Sequence, residues 1–450
     1  MSEHLHQKNG HRDAWVVDVN MGYGHSRAAY ALKDLSNGEV LSANDYDGIP
    51  ESDRKIWRDS RKLYETISRM KPLPVVGGLL FEALDRWQEI PDFYPRRDLS
   101  RPNLQVRQIY HLIKKGFGRH LVELFSKDPK PLITTFFIPA FFADAFEYPG
   151  DIYCVTTDAD ISRSWAPLDP QRSRIKYVAS NGRVVERLKL YGVREENIFL
   201  TGFPLPKELI GGPQAETLKD ALCQRLCNLD PGGIFGQRYA RALNAELGPA
   251  RCRLASSDHP LTLTYSVGGA GAQRQLGVLL LKSLKSKIAQ QKIRLNLVAG
   301  VRKDAARFYR DAVEECGLKK LLGAWVRVPE FQSRSAYFSG FNDLLSTTDL
   351  LWTKPSELSF YCGLGIAIIM APPIGSQEEF NRVWLDYVGG GVPQNDPKYT
   401  SEWLFDWIDS GGMARMAWNG YVEAPTHGTY RIEDLVLGRK SEIHPLPLIV

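Results

Sequence analysis

The sequence predicts an α/β fold of two Rossmann-like domains, each built on a parallel sheet, with the two sheets facing each other across a cleft. The chain has 450 residues, which is too long for one ordinary core and fits two domains of roughly 200 residues each. Short apolar runs alternate with helical patterns in both halves, as they do in βα units. Each half also carries a glycine-containing loop directly after its first strand, at 22–24 and at 268–271.

The composition is that of a globular protein, with 43% apolar and 24% charged residues. A net charge of +5 is mild for this length and gives no indication of nucleic-acid binding. The six cysteines are scattered, which fits reduced thiols in a cytoplasm and provides no zinc-binding pattern. Residues 1–14 are polar, and no run approaches the ~18 apolar residues of a spanning helix. We therefore expect a cytoplasmic protein that at most lies on the cytoplasmic face of a membrane.

The first strand, at 14–19, leads into the loop Gly22-Tyr23-Gly24, which ends in His25 at the start of a helix. Glycines tolerate backbone angles closed to other residues and let a ligand approach the main chain. Taken alone, His25 is better explained as a helix-start or packing histidine than as a functional residue.

Residues 54–129 form a basic region with 16 Lys and Arg against 9 Asp and Glu. Aromatic side chains are interleaved with these charges, among them Trp57, Tyr64, Phe81, Trp87, Phe93 and Tyr94. A basic helical region rich in aromatics can rest on an anionic lipid surface, so peripheral membrane contact is one interpretation. A solvated helical insertion with its aromatics in the core is the other.

Further strands of the first half are predicted at 131–137, 152–157, 175–179 and 197–200, and Asp158 follows the second of these. Glycine and proline then interrupt the pattern over 208–258. The predicted parts are a first domain at 1–210, a linker or helical insertion at 211–258, a second domain at 259–400, and helices with a tail at 401–450.

The second glycine loop follows a strand at 261–267 and precedes a helix. Its residues are Gly268, Gly269, Ala270 and Gly271. Small residues with exposed N–H groups at a helix N-terminus form a phosphate cradle. The next strand does not end in the acidic residue of a dinucleotide fingerprint, so a dinucleotide cofactor is disfavoured.

Two polar clusters follow the predicted strands at 350–352 and 366–371, at the strand ends where open parallel sheets bind ligands. The clusters consist of Thr353, Lys354, Ser356 and Glu357, and of Gln377, Glu378 and Asn381. A carboxylate such as Glu357 can accept from a ribose diol, and the amides of Gln377 and Asn381 lie one helical turn apart. Glu378 fits equally well as a helix-start carboxylate.

These residues carry a resemblance to the donor half of GT-B glycosyltransferases. The matching segments are Thr353 to Glu357, the turn at 363–365, and Pro372 to Glu378 with Asn381. The chain is most similar to the group that contains monogalactosyldiacylglycerol synthase, processive diacylglycerol glucosyltransferases and the lipid II-forming N-acetylglucosaminyltransferase. The loop ending in His25 and the segment from Thr157 to Trp165 also resemble this group. The group commonly has a histidine inside the latter segment, where this chain has Ile-Ser-Arg-Ser.

The resemblance implies transfer of a sugar from a nucleotide-diphosphate sugar, by resemblance a UDP-sugar, to an acceptor hydroxyl with inversion. It implies that His25 is the general base, with Asp158 as the runner-up or as the group that orients His25. The donor would be held by the second glycine loop and both polar clusters, and Phe331 would stack on the base or serve as a core aromatic. Lipid, polysaccharide and small-molecule acceptors all fit, and the resemblance favours a lipid. No metal and no cofactor are implied, because the nucleotide sugar is a substrate.

Two other functions fit the same fold. A nucleotide-sugar 2-epimerase would need acidic and histidine groups on both walls of the cleft, yet the second half has no histidine between His259 and His427. A catalytically silent nucleotide-sugar-binding protein is the other alternative.

Overall fold

The computed structural model describes residues 12–70, 90–249, 251, 257–266, 273–373 and 375–440. These residues form two compact units. The first runs up to Pro204 and resumes at His427, and the second is Leu205–Thr426. Among the described residues, no helix combines the length and the apolar composition needed to cross a bilayer.

The first unit contains a six-stranded sheet in the order β2-β1-β3-β4-β5-β6. Its strands are β1 (Trp15–Asp18), β2 (Leu41–Ser42), β3 (Leu132–Thr134), β4 (Ile152–Val155), β5 (Lys176–Ala179) and β6 (Ile198–Leu200). Its helices are α1 (Gly24–Ala31), α2 (Glu51–Met70), α3 (Leu104–Lys114), α4 (Arg119–Ser126), α5 (Phe137–Ala145) and α6 (Gly182–Leu190). All neighbouring strands pair in parallel. Every residue of the central strands β3 and β4 is buried, as expected where helices cover both faces of a parallel sheet.

The strand order of this sheet changes direction at β1. The chain passes from β1 to its neighbour β2 and then crosses to β3 on the other side of β1. The loops that follow β1 and β3 therefore leave the same edge of the sheet in opposite directions and open a crevice between them. The loop that leads to His25 follows β1, so the topology places it at this crevice.

The basic region contributes much of the first unit's core. Trp57 of α2 is buried and packs against Phe117 and Phe142, with ring centroids 5.3 and 6.2 Å apart respectively. Phe93 is also buried, whereas Tyr94 is exposed. Residues 71–89, with Phe81 and Trp87, and the side chain of Tyr64 lie outside the described part of the chain. The aromatics that are described are thus mainly core residues, and membrane contact stays a prediction.

The second unit contains another six-stranded parallel sheet, in the order β12-β11-β10-β7-β8-β9. Its strands are β7 (Thr262–Ser266), β8 (Arg294–Val298), β9 (Val326–Arg327), β10 (Leu350–Thr353), β11 (Ala367–Met370) and β12 (Gly391–Pro393). Its helices are α7 (Glu216–Leu229), α8 (Ile234–Leu247), α9 (Arg274–Ala289), α10 (Lys303–Glu315), α11 (Arg334–Ser346), α12 (Ser376–Val388), α13 (Thr400–Asp409) and α14 (Gly412–Glu423). The order changes direction between β7 and β10. The prediction of two α/β domains with Rossmann-like parallel sheets is confirmed.

The stretch 211–258, predicted as a linker or insertion, supplies α7 and α8 to the core of the second unit. Arg225 of α7 is fully buried and donates to the backbone carbonyls of Leu345, Thr348 and Leu364 at 2.8–2.9 Å. Burial lowers the pKa of Arg225 to about 10. The three carbonyls attach α7 to the segments on either side of β10, so the described residues of this stretch are an integral part of the second unit.

The predicted helices after 400 divide between the two units. Helices α13 and α14 pack in the core of the second unit. The last described helix, α15 (Gly428–Val436), belongs to the first unit, where Ile432 and Val436 pack with Val16 and Tyr153 of the sheet.

Among the described residues of the first unit, one ion pair is completely buried. Arg187 of α6 donates from Nε and Nη2 to the two carboxylate oxygens of Asp160, at 2.8 and 2.7 Å. Neither side chain is more than 1% exposed. Burial opposes the charge on the guanidinium, but the hydrogen bonds and the charge of Asp160 outweigh it and raise the pKa of Arg187. Asp160 is therefore a structural residue of the Asp158-Ala159-Asp160 segment.

Replacing Arg187 with methionine is expected to lower the free energy of unfolding of the first unit by about 3–5 kcal/mol, because Asp160 would remain buried without its partner. The double variant Asp160→Asn with Arg187→Met should recover part of this loss. Calorimetric melting measures both effects. Glu196→Gln, in the exposed pair with Arg194 of the same unit, is the control and should change stability by about 0.5 kcal/mol or less. A loss for Arg187→Met no larger than that of the control would contradict the prediction.

A group of buried polar residues around Asp349 lies at the amino edge of the second sheet, opposite the edge at which the strands end. Asp349 is fully buried and accepts from the Thr262 backbone N–H at 2.7 Å and from Asn228. His259 Nε2 lies 3.2 Å from Asp349, and its Nδ1 lies 2.6 Å from Asp258. Burial opposes charging of the imidazole, but the hydrogen bonds and charges of the two carboxylates outweigh it and raise the pKa of His259.

This cluster makes the stability of the second unit depend on pH. Because the folded pKa of His259 is above the unfolded value of 6.5, its contribution is fully present below that pH and is lost as the pH rises through the folded pKa. We expect the Tm of the wild type to fall by roughly 2 °C more than that of His259→Gln between pH 6 and 9. Parallel calorimetric pH series test this, and superimposable pH profiles would refute it.

Candidate functional site

The ring of His25, at the second position of α1, is held by groups at the ends of β3 and β4. Nδ1 of His25 lies 2.8 Å from the carbonyl oxygen of Thr135 and 3.2 Å from the hydroxyl of Thr157. The Thr135 hydroxyl donates back to the His25 carbonyl at 2.8 Å. Both threonines are buried, whereas His25 is half-buried. The crevice of the first sheet therefore contains an oriented imidazole.

Aromatic rings pack around this imidazole. The His25 ring meets Phe136 edge to face, with centroids 4.7 Å apart, and lies 6.2 Å from Trp165. Trp165 is buried, whereas Phe136 is half-buried. Gly22 keeps an ordinary φ, and nothing lies within 4 Å of the position that a Cβ would occupy. The contribution of Gly22 is therefore open space beside the main chain rather than a left-handed turn.

Asp158 directly follows Thr157, the residue that contacts His25. Its backbone is fixed by Ser180, whose hydroxyl donates to the Asp158 carbonyl at 2.8 Å, and its side chain is half-buried. In the segment without the expected histidine, Arg163 is buried and donates to the carbonyls of Ser100, Ala166 and Pro167. Arg163 is thus a structural residue of this segment.

In the second unit, the change in strand order brings the ends of β7 and β10 side by side. The hydroxyl of Thr353, at the end of β10, donates to the carbonyl of Ser266 at the end of β7, at 3.4 Å. The glycine loop with Gly268, Gly269, Ala270 and Gly271 lies outside the described residues. On its far side, Gln273 donates from its side chain to the Pro372 carbonyl at 3.2 Å. The segments after β7, β10 and β11 thus meet at one edge of this sheet.

Lys354 and Glu378, from the two predicted polar clusters, form an ion pair. The lysine follows β10, whereas the carboxylate lies in the first turn of α12. Their side chains are 28% and 14% exposed, so a ligand can still reach the ammonium group. A phosphate group that contacts Lys354 would therefore also lie close to Glu378, which is already paired with this ammonium group.

The other members of the two clusters lie on two neighbouring helices, a 3-10 helix and α12. Ser356 caps the 3-10 helix Glu357–Leu364, where its hydroxyl accepts from the Leu358 N–H at 3.4 Å. Glu357 and Asn381 are buried, and Gln377 is half-buried. The helix α12 begins at Ser376, so Gln377 and Glu378 lie in its first turn. The order of the strands thus places both clusters at the carboxyl edge of adjacent strands.

Phe331 follows β9 and is half-buried. Its ring packs on α11, 5.4 Å from the Tyr337 ring, and a Cβ at Gly340 would come within 2.4 Å of it. Phe331 also lines a shallow pocket with Gly300, Lys303 and Ala306, next to the N-terminus of α10. This pocket has almost no free volume, so the structure describes Phe331 as a residue packed on α11, and its stacking on a base stays a prediction.

Three residues at these two edges were not among the predicted site residues, namely Thr135, Thr157 and Gln273. Thr135 and Thr157 fall inside predicted strands. Their position directly after a buried apolar run is the sequence feature that could have indicated a place at the strand ends. Gln273 has a left-handed φ of 66° and accepts through its carbonyl from the Tyr265 hydroxyl at 2.8 Å. Burial raises the pKa of Tyr265 well above its ordinary value, so this phenol remains a donor.

Comparisons with known proteins give the following matches. Residues 246–391 match the model of a family described as a domain of unknown function (DUF6938). A search of curated proteins gave no match. Among solved structures, the chain is similar to Staphylococcus aureus MnaA in complex with UDP, at 11% identity and a TM-score of 0.45, covering 96% of this chain and 98% of that one. It is also similar to Acinetobacter baumannii MurG, at 12% identity and a TM-score of 0.47, covering 95% and 99%.

A third similar structure is the UDP-GlcNAc 2-epimerase of Neisseria meningitidis bound to UDP-GlcNAc, at 10% identity and a TM-score of 0.44. The match covers 76% of this chain and 84% of that one. At such low identity and TM-score, these likenesses carry no inference about ligand or activity.

Proposed function

We propose that the protein is a glycosyltransferase that moves a sugar from a nucleotide-diphosphate sugar, by resemblance a UDP-sugar, to an acceptor hydroxyl. The observation that carries the proposal is the convergence of Thr353, Lys354 and Glu378 at the point where the strand order of the second sheet reverses. An ammonium group, hydroxyls and helix N-termini at such a point are the groups that bind a diphosphate. Glu357 would accept from the ribose, and Gln377, Glu378 and Asn381 would contact the sugar.

The reaction proposed is a single displacement with inversion. The acceptor oxygen forms a bond to the anomeric carbon while the bond from that carbon to the phosphate oxygen breaks, and the electron pair leaves with the nucleoside diphosphate. The acceptor proton passes to His25, because an unperturbed imidazole titrates near neutral pH. Lys354 and the backbone N–H groups of Gly269 to Gly271 would stabilise the negative charge that develops on the diphosphate. No metal and no cofactor take part.

The acceptor class is proposed from the resemblance, which favours a lipid. Contact with a membrane through 54–129, on the cytoplasmic face, is part of the same proposal. The rings beside His25 are compatible with apolar surface on an acceptor, since Phe136 is half-buried and partly accessible.

A turnover assay with several nucleotide sugars tests the proposal. We expect nucleoside diphosphate to be released only when a hydroxyl acceptor is added, with diacylglycerol, oligosaccharide and small alcohols as separate acceptors. His25→Ala should lower kcat by about 100-fold or more, because the general base is lost. His111→Ala, at an exposed position of α3 in the same unit, is the matched control and should keep wild-type kcat.

The other outcomes of this assay identify the alternatives. Isomerised sugar without acceptor would indicate a nucleotide-sugar 2-epimerase. Binding without any turnover would indicate a silent binding protein. Full activity of His25→Ala would remove His25 from the role of base.

The ion pair at the donor edge predicts opposite effects of its two partners on nucleotide affinity. Lys354→Met should weaken UDP binding about tenfold to a hundredfold, because a charge-assisted contact to phosphate is lost. Glu378→Gln should strengthen UDP binding a few-fold (about threefold), because the carboxylate no longer competes for the ammonium group and no longer repels the anion. Calorimetric titration measures both.

Lys320→Met, at an exposed position of the same unit, is the control for loss of one positive charge. Equal weakening by Lys320→Met and Lys354→Met would show a general charge effect and would contradict a direct contact. Weaker UDP binding by Glu378→Gln would show that the carboxylate assists the nucleotide rather than competing with it.

A further inference from the structure

We propose that the Thr135 carbonyl and the Thr157 hydroxyl fix His25 as the tautomer that carries its proton on Nδ1, so that Nε2 is the unprotonated ring nitrogen. Thr157 is in this view a positioning residue that acts through His25. The catalytic use of the lone pair rests on the proposed function, whereas the tautomer itself does not.

The first step of the inference is the contact with the Thr135 carbonyl. The oxygen lies 2.8 Å from Nδ1, which is an ordinary hydrogen-bond length. A carbonyl oxygen can only accept, so an unprotonated Nδ1 would place two lone pairs against each other at that distance. The proton must therefore be on Nδ1. Because a neutral imidazole carries a single N–H, Nε2 is then the acceptor.

The second step concerns Thr157. Its hydroxyl oxygen lies 3.2 Å from the same nitrogen, and its side chain is 2% exposed. A hydroxyl can accept a share of the Nδ1–H, which adds a second, weaker interaction to the one with the carbonyl. Both of these groups contact Nδ1, and neither is a carboxylate. The arrangement selects a tautomer with neutral groups.

The third step is the rigidity of this arrangement. The Thr135 hydroxyl donates to the His25 carbonyl at 2.8 Å, so Thr135 contacts both the ring and the backbone of the same residue. The edge-to-face contact with Phe136 packs against the ring itself. These contacts oppose a rotation of the ring that would exchange Nδ1 for a carbon. The tautomer is thus maintained by geometry that exists before a ligand binds.

In the proposed transfer, the proton of the acceptor hydroxyl passes to Nε2 as the oxygen bonds to the anomeric carbon. The electron pair of the broken bond leaves with the nucleoside diphosphate. The imidazolium that forms keeps its Nδ1–H on the Thr135 carbonyl, so the ring does not need to reorient during the step. The same two oxygens then face a positively charged ring, and this interaction favours the product of proton transfer.

The tautomer can be measured without any activity. Long-range ¹H–¹⁵N correlation spectra of the full chain, labelled with ¹⁵N-histidine, distinguish protonated from unprotonated ring nitrogens. The His25 signals are assigned by their loss in His25→Gln. At a pH where the ring is neutral, we expect Nδ1 to be protonated and Nε2 to be unprotonated. A proton on Nε2 in the wild type would overturn the inference.

The part played by Thr157 is tested by replacing its hydroxyl. Thr157→Val should increase the Nε2–H tautomer of His25 and lower kcat about tenfold, with the donor KM within about twofold of wild type. Thr157→Ser should restore both, because it keeps the hydroxyl. Thr201→Val removes another buried hydroxyl at the end of β6 and should change neither. Identical spectra and kcat for Thr157→Val and Thr201→Val would overturn the role of Thr157.

The two proposals fail separately. A wild-type spectrum with Nδ1–H, from a protein that transfers no sugar to any acceptor, would support the tautomer and overturn the proposed function.

Discussion

The reversal of strand order in each parallel sheet is the constraint on which the candidate sites depend. A parallel sheet sends all its carboxyl ends to one edge, but neighbouring loops diverge only where the order changes direction. In the first sheet this happens beside β1, and in the second between β7 and β10. Side chains distant in sequence are brought together there without any special interaction. His25 and Thr135, for example, are 110 residues apart and exchange two hydrogen bonds.

Buried polar groups then determine what each edge presents. In the first unit, Arg163 donates to backbone carbonyls and Arg187 donates to Asp160, so the charge of both side chains is structural. Arg225 does the same in the second unit. His25 and Lys354, by contrast, are half-buried, and each combines an oriented side chain with access from solvent. The proposed chemistry uses these two accessible side chains, whereas the buried arginines stabilise the fold.

Much of the fold could be predicted from the sequence, because apolar runs of four to six residues, each followed by glycine, proline or threonine, mark buried parallel strands. The helix start near Gln377 and the loop before His25 followed from the same local signals. The membership of 211–258 could not be predicted, since glycine and proline mark turns but do not show which core a helix joins. The contacts of Nδ1 and of Lys354 were equally hidden, because they join segments that are far apart in the sequence. The roles of the candidate site residues stay predictions.

The pairing of Lys354 with Glu378 also affects what the second unit attracts from solution. Because the ammonium group already has an anionic neighbour within its own domain, this pair adds little long-range field at the strand edge. A polyanion such as a nucleic acid would gain little from approaching it, whereas a small ligand that can enter and exchange one anion for another would gain a short-range contact. We therefore expect ligand binding at this edge to depend on the shape of the ligand and on its ability to displace the Glu378 carboxylate from Lys354. Long-range electrostatic attraction should contribute little, so the affinity should be only weakly sensitive to ionic strength.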